Sequence, residues 1–202
     1  MNFMEMKKEI IIDRALKLFL EKPILNVTIK DISEANGVGE ATIYRYFQNK
    51  ENILVLCAIK LTHKLFDDYF DLSHYDNGYK KIKEFYYCFL YVFKNHPEYL
   101  RFINYFDAYV INKDSENVLR VYEASIDKYK KVFIDAYNEG IKDLSIKEIK
   151  DIDIFYYSTT KSLLELCKRE ATSNDLLVSD TKIDKSILIE KLINIILDNI
   201  KK

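Results

Sequence analysis

The sequence predicts an all-α protein. Glycine and proline, the residues that most often interrupt helices, occur four times and twice in 202 residues, and their scarcity favours long helices over short strands joined by turns. Apolar residues also recur at helical spacing along most of the chain. A chain of this length forms one large domain or a small domain joined to a larger one, and either arrangement buries a substantial core.

The first predicted helix covers residues 5–21, and Pro23 ends it. The next stretch, residues 28–54, predicts two short helices joined by a tight turn, with a third helix behind them. Thr28 is a suitable N-cap for the first short helix, and Asn36-Gly37 ends it, because both residue types accept the left-handed conformation of a helix C-terminus. The second short helix runs from Gly39 to Phe47. Asn49 is a suitable cap for a long helix four, which starts at Lys50 and extends to about Phe70.

Two helices joined by a glycine-containing turn are typical of a DNA-binding helix-turn-helix, whose second helix enters the major groove. The stretch resembles the amino-terminal signature of the tetracycline-repressor (TetR) family of bacterial transcription regulators. The resemblance covers about the first quarter of the chain, and the matching residues are Thr28, Asp31-Ile32-Ser33, Gly37-Val38, Ala41-Thr42-Ile43-Tyr44, Tyr46-Phe47 and Asn49-Lys50-Glu51. The apolar residues Ile12, Ala15, Leu16 and Phe19 are similar to the family's first helix.

The resemblance implies a set of DNA-binding residues, and helix amino termini, hydroxyls and lysines suit phosphate contacts. The predicted set is Thr28, Lys30, Gly39, Glu40, Ala41, Thr42, Tyr44, Arg45, Tyr46 and Lys50. Glu40 repels phosphates, and it either accepts from a cytosine amino group or stabilises the first turn of its helix. Arg45 is a phosphate contact or a solvated side chain, and Phe47 is expected in the core.

Charge does not support DNA binding by itself. The formal net charge is −1, and residues 1–50 carry eight Lys and Arg against seven Asp and Glu. The prediction of DNA binding therefore rests on the motif alone.

The rest of the chain predicts further helices. An apolar segment around residues 85–93 predicts a helix buried on most sides, and Pro97 fits the first turn of the next one. Another helix begins near Asp114 or Ser115 and is closed by Gly140. Ser145 with Glu148 predicts a capping box that opens a helix to about Arg169. Residues 172–184 form a polar loop before a final helix over residues 185–200.

An enzyme and a membrane protein are both disfavoured. The three histidines are isolated, no glycine-rich phosphate loop is present, and we predict neither a catalytic residue, a cofactor nor a metal. Cys57, Cys88 and Cys167 are expected to be buried free thiols. No uncharged apolar run reaches the length of a membrane span and no signal peptide is evident, so a soluble, cytoplasmic protein is expected.

Tyrosine and phenylalanine are concentrated after residue 65, where they predict either an ordinary helical core or the lining of an effector cavity. Buried tyrosine hydroxyls require partners, and the family resemblance implies an effector pocket. The predicted ligand-binding residues are Phe66, Phe89, Phe93, Arg101, Tyr105, Asp107, Tyr122, Tyr129, Tyr156 and Glu165. The expected ligand is small and aromatic or lipophilic, with a cationic group as one option, because ring faces attract cations.

The predicted domains are residues 1–50, which bind DNA through a motif at 31–50, and residues 51–202, which bind the ligand and form a homodimer. Helix four joins them without a flexible linker. The last two helices are expected to form the dimer interface, because the last one carries more apolar residues than one core-facing stripe needs. The residues expected there are Ile187, Leu188, Ile189, Leu192, Ile193, Ile195, Ile196, Leu197 and Ile200 of the last helix, with Phe155, Thr159, Ser162, Leu163 and Leu166 of the helix before it. The function predicted is a repressor released from palindromic double-stranded DNA by an effector. The alternative is a helical ligand-binding or protein-interaction module whose helix-turn-helix no longer binds DNA.

Overall fold

A computed structural model describes residues 3–110, 116–172 and 182–202. Within these ranges the chain is helical and has no strand, and an isolated antiparallel bridge joins Ile146 to Lys201. The predicted all-α class is confirmed. The helices are α1 (Phe3–Glu21), a 3-10 turn (Ile24–Asn26), α2 (Ile29–Asn36), α3 (Glu40–Phe47), α4 (Lys50–Tyr69), α5 (Gly78–Asn95), α6 (Pro97–Val110), α7 (Glu116–Lys142), α8 (Ile152–Thr172) and α9 (Lys185–Asp198).

The chain forms two compact units, and each unit combines segments that are distant in sequence. The first unit is Met1–Lys64 with Arg101–Ser125, and the second is Leu65–Leu100 with Ile126–Lys202. Helices α4, α6 and α7 each contribute residues to both units. The division into domains at residue 50 remains a proposal.

The core of the first unit is assembled from one apolar face of each of its helices. The stripe predicted for α1 is confirmed, since Ile11, Ile12, Ala15, Leu16 and Phe19 are all buried. Phe102 of α6 is also buried, with its ring centroid 6.3 Å from that of Phe19. Helices α1 and α6 therefore share one core with the helices of the predicted motif.

The core of the second unit is aromatic. Phe85, Tyr86 and Phe133 are fully buried, and the rings of Phe85 and Phe133 lie 5.3 Å apart. The hydroxyls of Tyr86 and Thr159 share a hydrogen bond of 2.7 Å, so a phenol in the core keeps a partner. The prediction that α5 is buried on most sides is confirmed.

The segment between α7 and α8 differs from the prediction. The capping box predicted at Ser145 is wrong, because α8 begins at Ile152. The Ser145 hydroxyl accepts instead from the Tyr79 N–H at 3.1 Å, and the Lys147 N–H donates to the Ile200 carbonyl at 3.0 Å. Partners remote in sequence therefore replace the local capping pattern.

Gly140 does not close α7, which continues to Lys142. Glycine is required at this position for a different reason: a Cβ on Gly140 would lie 2.3 Å from Cδ1 of Ile146. The left-handed conformation beyond the helix is taken by Leu144, at φ 63°. Packing, and not helix termination, accounts for this glycine.

The first residue of α5, Gly78, sits at a close approach of two backbones. A Cβ on Gly78 would lie 2.1 Å from the Gly140 nitrogen and 2.4 Å from the Ala136 carbonyl oxygen. The Gly78 N–H also donates to the Asp143 carboxylate at 2.8 Å. The start of α5 is therefore held against the last turns of α7.

The three cysteines are free and buried, as the sequence predicts. Burial raises the pKa of each thiol well above its ordinary value, because a thiolate is poorly solvated in an apolar core.

Two predicted features fall outside the described ranges: the helix start near Asp114 or Ser115, and most of the polar loop at residues 172–184. Among the helices that the structure describes, none combines the length and the apolar character needed to cross a membrane.

Candidate nucleic-acid interface

Helices α2 and α3 and the turn between them form the helix-turn-helix predicted from the sequence. Thr28 and Asp31 form a complete capping box at the start of α2. Gly37 ends α2 in the left-handed conformation, at φ 62° and ψ 33°. The N–H of Val38 then donates to the Ser33 carbonyl at 3.1 Å, and Gly39 takes the N-cap position of α3.

Buried side chains fix the orientation of α3. Ile43 is fully buried and Phe47 is 4% exposed, so one face of the helix packs into the core. The prediction that Phe47 belongs to the core is confirmed. Arg14 of α1 donates to the Ala35 carbonyl at 3.1 Å and so supplies a donor to the last turn of α2. The motif therefore presents the opposite face of α3 on a packed base.

All ten predicted DNA-binding residues are at least partly accessible. Thr42, Tyr46 and Lys50 are partly buried, and the others are exposed: Thr28, Lys30, Gly39, Glu40, Ala41, Tyr44 and Arg45. Tyr44 retains 50% of its surface. The first turn of α3 is thus open to solvent, which is where a recognition helix contacts base edges.

Thr28 and Lys30, at the start of α2, have intramolecular partners within that helix. The Thr28 hydroxyl accepts from the Asp31 N–H at 3.1 Å and donates to its carboxylate at 2.6 Å. The Thr28 hydroxyl and the Thr28 N–H both donate to this carboxylate, and these two hydrogen bonds hold the pKa of Asp31 below its usual value. Lys30 lies 3.9 Å from Glu34, and both side chains are largely exposed. An exposed pair of this kind contributes little and is easily exchanged for a phosphate.

Lys50 points into the first unit. Its ammonium donates to the Ile24 carbonyl at 2.5 Å, and it lies 6.0 Å from the ring centroid of Phe19 and 5.6 Å from that of Tyr109. Partial burial lowers the pKa of the ammonium. A phosphate contact by Lys50 requires the side chain to leave this position, so its predicted role remains a prediction.

Residues that the sequence did not single out surround Lys50 and Tyr46. Tyr109 donates to Glu51 at 2.9 Å, and the Lys8 ammonium lies 5.9 Å from the ring centroid of Tyr46. Both contacts join residues more than 35 positions apart, so no local pattern reveals them. Arg45 also lies beside Tyr46, with its guanidinium carbon 5.2 Å from the same centroid.

The predicted ligand-binding residues are divided between the two units. Phe66, Phe89, Tyr129 and Tyr156 belong to one aromatic cluster of the second unit, which Phe70 and Phe85 connect. The ring centroids of Phe66 and Tyr129 are 5.2 Å apart, those of Phe70 and Phe89 are 6.2 Å apart, and those of Phe85 and Tyr156 are 6.3 Å apart. Phe70 and Phe85 are members that the sequence prediction missed.

The remaining predicted ligand residues lie elsewhere. Phe93 and Glu165 belong to the second unit, and Glu165 pairs with the buried Lys168 at 2.5 Å. Four others belong to the first unit: Arg101, Tyr105, Asp107 and Tyr122. Tyr105 is 42% exposed. Burial raises the pKa of Tyr122 to about 12, and nearby Asp107 adds to this effect, while a hydrogen bond with Thr62 opposes it.

The residues of α8 and α9 that were predicted for the dimer interface differ in burial: some are buried within the unit and others are exposed. Ile189, Ile193, Ile196, Leu197 and Ile200 are buried within the unit. Apolar side chains left outside are Ile187, Leu188 and Ile195 on α9, together with Ile154 and Tyr157 on α8, which the sequence did not assign to the interface. Leu163 and Thr159, which the sequence suggested for the interface, face inward, since Leu163 is fully buried and Thr159 bonds Tyr86.

Comparison with known proteins identifies the region that contains the helix-turn-helix. Residues 11–57 match the model of the bacterial regulatory proteins of the tetR family, which confirms the resemblance predicted from the sequence. No curated protein matches the chain.

Solved structures share the fold over the whole chain. A TetR-family transcriptional regulator from Mesorhizobium loti is 13% identical, with a TM-score of 0.73 and 100% of both chains covered. The transcriptional regulator FadR from Bacillus subtilis, solved with stearoyl-CoA, is 19% identical, with a TM-score of 0.69, 94% of this chain and 97% of that chain covered. The ketosteroid regulator of Mycobacterium tuberculosis is 16% identical, with a TM-score of 0.64, 96% of this chain and 95% of that chain covered.

Proposed function

We propose that this chain, whose residues 11–57 carry the amino-terminal domain of the TetR family, is a transcription repressor. In this proposal a homodimer binds palindromic double-stranded DNA in the cytoplasm and is released by a small-molecule effector. The observation that carries the proposal is the position of α3, whose buried Ile43 and Phe47 hold its first turn open to solvent.

The exposed residues of α3 are suited to two kinds of DNA contact, one to base edges and one to phosphates. Gly39, Glu40, Ala41 and Thr42 lie in the first turn, where side chains meet base edges in the major groove. Tyr44 is half exposed and suits a phosphate contact, which positions the protein without reading sequence. Glu40 then favours a cytosine, whose amino group is a donor in the major groove.

Exposed apolar side chains on α9 support a dimer. Ile187 and Ile195 retain 62% and 49% of their surface, and a spacing of eight residues places them on the same side of the helix. Tyr157 of α8 is 42% exposed. A second copy of the chain would cover these residues, and two copies would supply the two recognition helices that a palindrome requires.

The aromatic cluster of the second unit supports a lipophilic effector. Its rings, including Phe66, Phe89 and Tyr129, provide the apolar surface that small-molecule sites use. The Bacillus subtilis relative was solved with a fatty-acyl thioester, stearoyl-CoA, which is also lipophilic. The cationic option has less support, because Glu165 is already paired with Lys168 and the Lys128 ammonium lies 4.1 Å from the Phe66 ring centroid.

The alternative is a helical module that has lost DNA affinity. The balanced charge of the first 50 residues and the inward position of Lys50 favour it. A binding titration separates the two proposals. The protein is titrated into a duplex taken from the DNA upstream of its own coding sequence and into a shuffled duplex, at several salt concentrations. A repressor gives affinity that falls steeply with salt and prefers the native duplex. Absence of binding to both duplexes at low salt favours the module.

A further inference from the structure

Lys8 of α1 lies against the recognition helix. Its ammonium is 5.9 Å from the ring centroid of Tyr46, and the guanidinium carbon of Arg45 is 5.2 Å from the same point. Two cations, one from α1 and one from α3, are therefore within 6 Å of one ring. Lys8 is partly buried, whereas Lys7 beside it is exposed, so the Lys8 side chain lies along the protein surface next to α3.

Two acidic residues of α1, Glu9 and Asp13, do not neutralise this pair of cations. In the part of the chain that the structure describes, neither Lys8 nor Arg45 forms an ion pair with an aspartate or a glutamate. Glu9 and Asp13 of α1 pair with Lys60 instead, at 3.1 and 2.5 Å. The cation–ring contacts are partly exposed and weak, so the ring positions the two cations without compensating their charge.

Arg45 and Tyr46 belong to the last turn of α3, at the opposite end from the residues proposed to read bases. A helix of eight residues is about 12 Å long, so this end lies toward the edge of a major groove that receives the first turn. Backbone phosphates line that edge. Arginine binds a phosphate through two parallel N–H groups, and a neighbouring lysine adds a point charge.

We infer that Lys8 and Arg45 together bind the DNA phosphate backbone, so that the DNA-contacting surface extends from α3 onto α1. The inference rests on the proposed DNA-binding function and adds a residue that the helix-turn-helix itself does not contain. Tyr46 acts here as a positioning residue whose ring holds the two cations next to each other.

The test compares two substitutions on the same helix. Lys8→Met removes the charge but keeps an unbranched apolar stem that still packs on the ring of Tyr46. Lys17→Met is the matched control, because Lys17 is exposed on α1 and nine residues away, which places it about 180° around the helix. Both variants and the wild type are titrated against the upstream duplex and the shuffled duplex over a range of salt concentrations.

Loss of one phosphate contact lowers the slope of log affinity against log salt by about 0.9 and weakens binding about five- to tenfold near 0.1 M salt. We expect this change for Lys8→Met on both duplexes, because phosphate contacts carry no sequence information. Arg45→Met should give a similar change, and Lys8→Arg should retain the wild-type slope.

Two results would overturn the inference while leaving the proposed function intact. One is a Lys8→Met variant that binds like Lys17→Met. The other is a Lys8→Met variant whose affinity falls equally at every salt concentration, which indicates a structural role for the side chain. A wild type that binds neither duplex overturns the proposed function itself, before any variant is compared.

Discussion

The hydroxyl of Tyr109, at the end of α6, donates to Oε1 of Glu51 in the first turn of α4, at 2.9 Å. Lys50, the preceding residue, lies 5.6 Å from the Tyr109 ring centroid and donates to the Ile24 carbonyl. Within the first unit, these contacts connect α6 with the helix that follows the recognition helix and with the turn that follows α1. A displacement of the end of α6 would therefore reach residues adjacent to the DNA-binding motif.

Tyr109→Phe should reduce stability by about 1 kcal/mol at neutral pH, because it removes a hydrogen bond to a carboxylate that is only partly buried. Desolvation, followed by the hydrogen bond to Glu51, raises the pKa of Tyr109 to about 12 from its ordinary value of 10.0. A raised pKa gives stability that is complete below the unfolded value and is lost as pH rises through the folded value. The difference between wild type and variant should thus shrink between about pH 10 and 12, measured by urea unfolding. A difference independent of pH would contradict this.

Tyr44→Phe should weaken binding to native and shuffled duplexes alike and leave the salt slope nearly unchanged, because a neutral hydroxyl releases no counterion from the phosphate that it contacts. Tyr105→Phe is the control, since Tyr105 is a similarly exposed tyrosine on α6. Lys50→Ala should also weaken binding to both duplexes, and it should lower the salt slope by about one unit because it removes a charge. It should lower the melting temperature as well, because Lys50 bonds Ile24. Thr42→Ala should reduce the preference for the native duplex. Unchanged affinity in a Lys50→Ala, Tyr44→Phe double variant would remove both residues from the interface.

Gly78→Ala should destabilise the protein by about 1–3 kcal/mol or more, because the new methyl group meets two backbones that cannot retreat independently. Gly39→Ala is the control: its Cβ would meet nothing within 4 Å and its φ is −73°, so the loss should stay below about 1 kcal/mol. Chemical denaturation measures both. Equal losses in the two variants would show that the approach of α5 to α7 is looser than described.

Ile187→Glu combined with Ile195→Glu should convert a dimer into a monomer at micromolar concentration, as measured by analytical ultracentrifugation. Two carboxylates would be desolvated in the proposed interface, whereas in the free monomer both positions face water. Leu25→Glu, at an apolar residue that is 78% exposed in the first unit, is the control and should leave the oligomeric state unchanged. A wild type that sediments as a monomer would already refute the proposed interface.

Phe89→Trp should prevent effector binding and spare DNA binding, because a larger ring fills space within the aromatic cluster. Native mass spectrometry of proteins purified in parallel would show whether a bound small molecule is lost from the variant. Tyr122→Trp is the variant for comparison, because Tyr122 was also predicted to bind the ligand but lies in the first unit, whereas Phe89 lies in the second. Loss of the compound only from Phe89→Trp assigns the effector to the second unit. Retention in both variants contradicts the predicted lining.

Local patterns in the sequence were sufficient where the structure itself depends on local chemistry. The capping box of Thr28 and Asp31, the left-handed Gly37 and the Asn49 cap, whose side chain accepts from the Asn52 N–H at 2.8 Å, all arise within a few residues. The same reasoning failed at Ser145 and Gly140. Ser145 contacts Tyr79 and Gly140 packs against Gly78, and both partners are remote in sequence. A single sequence does not reveal such pairings.

In the candidate sites too, features that depend on neighbouring residues were predictable from the sequence, and contacts between distant residues were not. Ile43 and Phe47 alternate with exposed residues at helical spacing, so the accessible face of α3 was predictable. Lys8 beside Tyr46 was not, because the contact depends on how α1 packs in three dimensions. The predicted ligand residues were chosen by residue type along the chain. Residue type alone does not indicate which side chains lie close together, so the prediction did not foresee that they belong to two different units.

The buried thiols make the chain suitable for labelling without prior engineering. Maleimides and nitroxide reagents react with thiolates, and the raised pKa of Cys57, Cys88 and Cys167, together with their burial, should leave all three inert near neutral pH. A cysteine placed at exposed Glu40 would then be the one reactive thiol in each subunit of the proposed dimer. The distance between two such labels would follow the spacing of the recognition helices directly, against the ~34 Å that adjacent major grooves require.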